Sequence, residues 1–197
     1  MARPNRSAAR RKELIPEVAR AFAQLGYRRT TTAELAHRCG VRENILYRLW
    51  TDKKAMFIAS IEYVYESSAG IWDSLLQGES IGKTAAQRLL EYETRHHGEF
   101  GFYRIIFAGL SESDDPAVRE ALRRTYKRFQ EFIRKQIESH RRRGAGRQLP
   151  DPALCAWAFL GLGTVANIGR EFGMFGPRER IRLLNQVGHL LLGGESR

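Results

Sequence analysis

The segment from Thr30 to Lys54 constrains the fold more than any other part of the chain, because it contains two short helical patterns separated by a glycine-bearing turn. Thr31 and Glu34 have the spacing of a capping box, in which the threonine hydroxyl accepts from the third backbone N–H and the glutamate reaches back. Gly40 can end this first helix in the left-handed conformation. Two helices joined by such a turn form a helix-turn-helix.

The second helix of this pair has one apolar face and one polar face. Leu46, Leu49 and Trp50 recur at the helical period and form the apolar face. The opposite face carries donors, acceptors and a cation, which are the groups that can reach base edges and phosphates in a major groove. These residues are Glu43, Asn44, Tyr47 and Arg48. The pattern predicts a recognition helix, although an ordinary helical hairpin can imitate it.

The wider stretch from Lys12 to Phe57 resembles the N-terminal DNA-binding domain of the TetR family of one-component repressors. The matching residues are Ala21-Phe22, Gly26-Tyr27, the threonine run, Leu35-Ala36, Gly40-Val41, Leu46-Tyr47, Trp50 and Lys53. The resemblance implies an all-α fold in two parts. Residues 1–54 are expected to form a three-helix helix-turn-helix domain with a basic N-terminal arm, and residues 55–197 a helical effector-binding and dimerisation domain.

The distribution of charge agrees with a polyanionic partner for the first part only. The chain carries 33 basic and 22 acidic side chains, a formal net charge of +11. Residues 1–54 hold 13 basic and 5 acidic side chains, whereas the remaining residues hold 20 and 17. A strongly basic domain attached to a nearly balanced one is typical of proteins that bind nucleic acid, although a basic, merely soluble surface has the same composition.

The polar face of the second helix predicts a division of labour on DNA. Asn44 and Arg48 lie one turn apart, and we expect them to read bases, with Glu43 as a third candidate. The resemblance implies that Thr31, Tyr47 and Lys53 bind phosphates. The complete set of predicted DNA-binding residues is Thr31, Arg42, Glu43, Asn44, Tyr47, Arg48, Lys53 and Lys54.

The rest of the chain shows helical periodicity throughout. The first helix is predicted over residues 11–25, and Pro16 predicts either a start near Glu13 or a kink. Asp52 or Thr51 is a candidate cap for the helix after the recognition helix, and Asp114 or Asp115 for a later one. The segment from Phe100 to Leu110 is apolar nearly all round, so we expect it to be buried on several sides.

Aromatic residues concentrate in three consecutive helical patterns of the second part. A helical interior with apolar walls and a few polar groups is typical of small-molecule sites, although simple core packing explains the same residues. Arg104 is the one cation in the most apolar pattern, so we expect it to face the polar end of a ligand or a glutamate. The predicted effector is an apolar or aromatic small molecule. The predicted pocket residues are Tyr92, His96, Phe100, Tyr103, Arg104, Phe107, Tyr126 and Phe129.

The last two helical patterns predict a subunit interface. Residues 153–169 are uncharged, but this run is slightly short of the ~20 residues of a membrane span. Gly161 and Gly163 each weaken an isolated helix by roughly 1 kcal/mol, which favours a place where another helix approaches closely. The resemblance implies that a second subunit supplies that helix; the alternative is ordinary intramolecular core. The predicted interface residues are Trp157, Leu160, Gly161, Val165, Ile181, Leu184, Val187 and Leu191.

Catalysis has little support in the sequence. It has no glycine-rich phosphate loop, no metal-ligand spacing and no nucleophile elbow, so we predict no catalytic residue, no metal and no cofactor. Cys39 and Cys155 lie in different helical patterns, which suits a reducing cytosol. The N-terminus is basic without an apolar region, unlike a secretory signal, so the expected location is the cytoplasm, with no membrane partner.

These observations together predict a sequence-specific DNA-binding transcriptional regulator. By resemblance, it is a homodimeric repressor that a small-molecule effector releases from a pseudo-palindromic operator of double-stranded DNA. A helical enzyme or a general basic RNA-binding protein is the alternative that the sequence leaves open.

Overall fold

The computed structural model describes residues 6–77, 82–142 and 150–193, and within these ranges the chain forms nine α-helices and no β-strand. The all-α prediction is confirmed. The helices are α1 (Arg6–Arg29), α2 (Thr32–Arg38), α3 (Glu43–Leu49), α4 (Lys53–Gln77), α5 (Ala85–His96), α6 (Tyr103–Ser111), α7 (Pro116–Arg141), α8 (Pro152–Glu171) and α9 (Pro177–Leu192).

α1 begins earlier than predicted and continues through its proline. It starts at Arg6, so the predicted start near Glu13 is wrong, and its backbone leaves helical angles at Gly26 (φ 75°, ψ 168°), well after Pro16. An interior proline costs a helix about 3 kcal/mol. Burial of the apolar stripe of α1, which includes the fully buried Phe22, offsets this cost, since each large buried side chain contributes about 1.5–3 kcal/mol.

Part of the predicted basic N-terminal arm, residues 6–10, is helical. Arg6 and Arg10 belong to α1, where the Arg10 guanidinium pairs with Glu13 one turn later. Helix formation satisfies the backbone groups that an extended arm would leave to water. Residues 1–5 lie outside the described residues.

Aspartates begin three of the helices. The side chain of Asp52 accepts from the backbone N–H of Ala55 at 2.7 Å, and that of Asp115 accepts from Ala117 at 2.8 Å. Asp151 caps α8 in the same way. Such caps satisfy backbone donors that the first turn of a helix leaves unpaired. The predicted caps at positions 52 and 115 are confirmed.

The segment from Phe100 to Leu110 is less buried than its composition predicts. Ile105 and Ile106 are buried, but Phe100 is 60% exposed and Leu110 52% exposed. Gly101 takes a positive φ of 69° before α6 begins at Tyr103. The helix is therefore only nine residues long and packs one face, so the prediction of burial on several sides is wrong.

Packing divides the chain into two compact units. The first comprises Met1–Ser67 with Phe100–Thr125, and the second comprises Ser68–Glu99 with Tyr126–Arg197. The division therefore differs from the predicted boundary after residue 54, because the beginning of α4, all of α6 and the beginning of α7 pack with the helix-turn-helix. α4 and α7 each contribute residues to both units.

The first unit is built around α1. This helix packs against α2, α3 and α6, and the ring of its Phe22 meets that of Phe57 edge-on at 5.1 Å. Gly109 of α6 lies so close to Leu122 that a Cβ atom would be 3.0 Å from its Cδ2. Gly109 thus allows α6 and α7 to approach closely within the first unit.

The second unit is built around α5, α8 and α9, with α9 packed against both of the others. Its core includes Leu90, Ile137 and Ala156. Gly188 of α9 lets the helix approach Leu90, since a Cβ atom there would be 2.4 Å from Cδ1 of Leu90. Across the unit, the Trp72 indole stacks on Phe132 with ring centroids 4.6 Å apart.

Candidate DNA-binding site and interior polar cluster

The turn between α2 and α3 has the geometry that the sequence predicts. The Thr31 hydroxyl accepts from the backbone N–H of Glu34 at 3.1 Å, and Gly40 takes a left-handed φ of 63°. The other half of the predicted capping box is replaced, because the Glu34 carboxylate accepts from Nε of Arg38 at 2.6 Å. Val41 then donates its N–H back to Ala36, which closes the turn.

α3 separates its residues onto two faces. Leu46, Leu49 and Trp50 are buried in the first unit, which confirms the predicted apolar face. The other face is exposed to solvent. It carries Glu43, Asn44, Tyr47 and Arg48, and Arg42 just before the helix is exposed as well.

A chain of hydrogen bonds crosses from α3 to α2 on this exposed face. The hydroxyl groups of Tyr47 and Thr32 are 3.2 Å apart, and Oγ1 of Thr32 lies 2.7 Å from Oε2 of Glu43. The two helices of the motif are thus linked by polar side chains as well as by their apolar contacts. Thr32 was not among the predicted site residues. Its position next to Thr31, at the start of a capped helix, could have indicated that it lies at the site.

Lys53 ties the beginning of α4 to the end of α1. Its ammonium donates to the carbonyl oxygens of Tyr27 at 3.2 Å and Thr30 at 3.1 Å. The same group lies 4.5 Å from the centroid of the Tyr27 ring, within the range of a cation–π contact. An ammonium has three N–H donors, so one remains for a further acceptor such as a phosphate.

Lys54 is paired inside the first unit. Its ammonium lies 2.9 Å from Oδ2 of Asp115. This hydrogen bond raises the pKa of Lys54 and lowers the pKa of the Asp115 carboxyl. Of the predicted DNA-binding residues, Lys54 therefore already has an acidic partner, whereas Thr31 is exposed beside the recognition helix.

The second unit contains a polar cluster that the sequence did not predict. Oε1 of Glu93 accepts from the Trp72 indole at 2.7 Å, and Oε2 lies 2.8 Å from Nδ1 of His97. Nε2 of His97 is 3.1 Å from both the Gly163 carbonyl and the Asn167 amide. We define this interior polar cluster as Trp72, Glu93, His97 and Asn167. Asn167 is 6% exposed, and its Oδ1 is buried without a hydrogen-bond partner.

One sequence signal could have indicated this cluster. Asn167 is a polar side chain within the uncharged run of residues 153–169, and buried polar groups require partners. The prediction selected His96 instead, which is exposed, pairs with Glu99 and stacks on Tyr92. His97 points to the interior because it follows His96 by about 100° on the helix.

The predicted pocket residues fall into both packing units. In the first unit, the rings of Tyr103 and Phe107 meet edge-on at 5.6 Å, while Phe100 and Arg104 are exposed. In the second unit, Phe129 lies edge-on to the Trp72 indole at 5.7 Å. Tyr126 also belongs to the second unit, where burial raises the pKa of its hydroxyl and a hydrogen bond with Thr164 lowers it. The structure thus brings Phe129 next to the interior polar cluster.

Among residues 6–77, 82–142 and 150–193, no group of three or more His, Cys, Asp or Glu side chains could hold a metal ion.

Comparison with known proteins connects this geometry to a family. The sequence profile of bacterial regulatory proteins of the tetR family matches residues 17–60, which contain all of α2 and α3 and their packing partners in α1. Residues 17–60 thus match the DNA-binding domain of the TetR family. The resemblance inferred from the threonine run and the recognition helix is confirmed.

Proteins of known sequence or structure match most of the chain. The nucleoid occlusion factor SlmA of Vibrio cholerae is 28% identical over 163 residues, covering 80% of this chain and 81% of that protein. A TetR-family regulator from a Rhodococcus species superimposes with a TM-score of 0.79 at 19% identity, covering 94% and 99% of the two chains. FadR of Bacillus subtilis, solved with stearoyl-CoA, superimposes with a TM-score of 0.71 at 16% identity, covering 93% and 98%.

The last two helices of the chain carry an exposed apolar face. Trp157 and Val165 are each 48% exposed, Gly161 is exposed between them, and Ile181 of α9 is 41% exposed. Of the other predicted interface residues, Leu160, Val187 and Leu191 are half-buried. Leu184 is buried in the second unit of the same chain.

Gly161 and Gly163 of α8 have different surroundings. A Cβ atom at Gly161 would meet nothing within 4 Å, whereas one at Gly163 would lie 2.9 Å from the His97 ring. The expected close approach at Gly163 is therefore made by a side chain of the same chain. By length and composition, α8 is also the one described helix that could cross a membrane. Of its most apolar stretch, 33% is buried within the chain.

Proposed function

We propose that this regulator is a homodimeric repressor that binds a pseudo-palindromic DNA operator and leaves it when a small-molecule effector binds the second unit. The observation that supports the proposal best is the exposed polar face of α3, held in place by a fully buried apolar face. In this proposal, residues 1–54 form the part of the chain that contacts DNA. The protein acts in the cytoplasm and has no enzymatic role.

On DNA, Asn44 and Arg48 read bases and Arg42 lies at the start of the same helix, next to the phosphate backbone. Thr31 and Tyr47 donate their hydroxyl groups to phosphates, and Lys53 uses its third N–H. Thr31 can do so because its oxygen only accepts within the chain, which leaves its own proton free. Lys54 contributes less, since Asp115 neutralises it.

The dimer forms through the exposed apolar face of α8 and α9. Monomeric proteins seldom expose contiguous apolar patches of this kind, and a self-complementary face gives a two-fold symmetric dimer. Such a dimer presents two copies of α3 to half-sites about 34–36 Å apart along the duplex.

The effector binds in the second unit, next to the interior polar cluster, against Tyr126 and Phe129. The unpaired Oδ1 of Asn167 supplies a buried acceptor, and the aromatic rings supply apolar walls. Because α4 and α7 contribute to both units, a shift of either helix on ligand binding reaches the unit that carries α3. The relative FadR was solved with stearoyl-CoA, which supports a small-molecule effector with an apolar body.

The decisive experiment measures binding to a palindrome from the upstream region of the protein's own gene and to a random duplex, at several salt concentrations. Specific sites bind about 10³–10⁷ times more tightly than random DNA. Arg48→Ala should relax discrimination at particular base pairs, while Lys53→Ala should weaken all sequences alike and reduce the salt slope by about one. Arg123→Ala, on α7, is the control for the loss of one positive charge. Equal affinity for both duplexes would contradict the proposal.

A second candidate function follows from the relative SlmA, which is named a nucleoid occlusion factor. If this chain shares that role, its binding sites should be dispersed over the chromosome. A genome-wide map of bound DNA distinguishes the two, because a dedicated repressor occupies one or a few promoters.

A further inference from the structure

Glu43 places a negative charge on the surface that faces DNA in the proposed function. It is the first residue of α3 and is exposed. Phosphates repel a carboxylate wherever it approaches the backbone of the duplex. A carboxylate at this position therefore favours binding only if it lies over a base edge that offers a hydrogen-bond donor.

The carboxylate of Glu43 is held in one position by the neighbouring helix. An ionised carboxylate only accepts hydrogen bonds, so the Thr32 hydroxyl must donate to Oε2 of Glu43 across the 2.7 Å contact. The Thr32 oxygen then accepts from the Tyr47 hydroxyl at 3.2 Å. Since Thr32 belongs to α2, this bond fixes a side chain of the recognition helix from outside that helix.

We propose that Glu43 selects cytosine at one position of each operator half-site by accepting a hydrogen bond from its N4 amino group. Cytosine presents a donor in the major groove, whereas guanine and thymine present acceptors that a carboxylate repels. Adenine has an amino group, but its N7 acceptor lies beside it. The inference rests on the proposed function, because it requires α3 to lie in the major groove.

Thr32 is a positioning residue in this scheme, and Tyr47 has a separate role. Oε2 of Glu43 already accepts from Thr32, so Oε1 is the oxygen that would accept from the base. The bond from Thr32 to Glu43 does not require Tyr47. On DNA, the Tyr47 hydroxyl can therefore donate its hydrogen bond to a phosphate oxygen instead of to Thr32, while Glu43 stays in place.

The test is selection of bound duplexes from a randomised library by the full-length protein, followed by affinity measurements on the four base pairs at each selected position. The wild-type protein should prefer cytosine at one position per half-site by about 5- to 150-fold, the usual cost of one mismatched base pair. Glu43→Gln should shift that preference to adenine, because glutamine pairs with N6 and N7 of adenine.

Three further variants separate positioning from charge. Thr32→Val should reduce the cytosine preference several-fold without affecting the other positions, and Thr32→Ser should restore it. Tyr47→Phe should keep the preference while weakening all sequences. The matched control is Glu17→Gln, which removes the same charge from α1, where Glu17 pairs with Arg20.

Two outcomes would overturn the inference while leaving the proposed function intact. One is a specific operator whose base preferences are the same for the wild-type protein and Glu43→Gln. The other is a loss of cytosine preference in Glu17→Gln equal to that in Glu43→Gln, which would show a general effect of charge. If the wild-type protein bound all duplexes equally, the proposed function itself would fail.

Discussion

Replacing the two neighbouring glycines of α8 by alanine should have opposite effects on stability. At Gly161 a Cβ atom meets nothing within 4 Å, whereas at Gly163 it would lie 2.9 Å from Cε1 and Nε2 of His97. The imidazole cannot turn away freely. Its Nδ1 lies 2.8 Å from Oε2 of Glu93, and its Nε2 lies 3.1 Å from both the Gly163 carbonyl oxygen and the Asn167 amide nitrogen.

The sizes of the two effects follow from these contacts. Alanine in a helix interior is more favourable than glycine by about 0.5–1 kcal/mol, so Gly161→Ala should raise the free energy of unfolding by that amount. At position 163 the ring must retreat by about 0.5 Å to reach an ordinary contact, and such overpacking costs about 1–3 kcal/mol. Gly163→Ala should therefore be less stable than Gly161→Ala by about 1–3 kcal/mol.

Urea denaturation at a fixed protein concentration, low enough to keep the chain monomeric, measures this difference, with far-UV circular dichroism as the readout. A double-mutant cycle with His97→Ala identifies the cause, since removal of the imidazole should abolish the penalty of Gly163→Ala. If Gly163→Ala proved as stable as Gly161→Ala, the packing of His97 against α8 would be refuted.

The same site tests the proposed dimer. A leucine at position 161 has room within the single chain, but it would occupy the space of a second α8. Gly161→Leu should therefore sediment as a folded monomer and lose operator binding. An unchanged dimer would place Gly161 outside the interface.

Three further predictions concern pH and the effector. Lys54 lowers the pKa of Asp115 in the folded state, so the stability from this pair is present above the unfolded pKa of about 3.9 and is lost as pH falls further; Asp115→Asn should reduce this acid sensitivity in urea titrations. Desolvation, followed by the charge of Arg141, lowers the pKa of His140, so the folded state resists protonation and stability should fall as pH drops below about 6.5; His140→Gln should flatten that dependence. Tyr126→Ala and Phe129→Ala should leave operator affinity intact but weaken effector-induced release in a DNA-binding titration, and full release with both variants would remove these residues from the effector site.

Local chemistry in the sequence determined the helix-turn-helix. The cap at Thr31, the left-handed turn at Gly40 and the period of Leu46 and Leu49 involve residues within one or two helical turns of each other. Such interactions are specified by neighbours along the chain. The exposed polar face of α3 followed directly from the same periodicity.

The tertiary structure decided what depends on contacts between distant residues. The start of α1 and its passage through Pro16 depend on burial of an apolar stripe in a core that no local pattern defines. Whether His96 or His97 faced the interior depended on α8, some 70 residues later, whose Gly163 leaves room for the imidazole. The pairing of Lys54 with Asp115 likewise depends on a residue far away in the sequence, at the start of α7. Periodicity can show that a residue lies on a face of a helix, but only packing determines which partner that face meets.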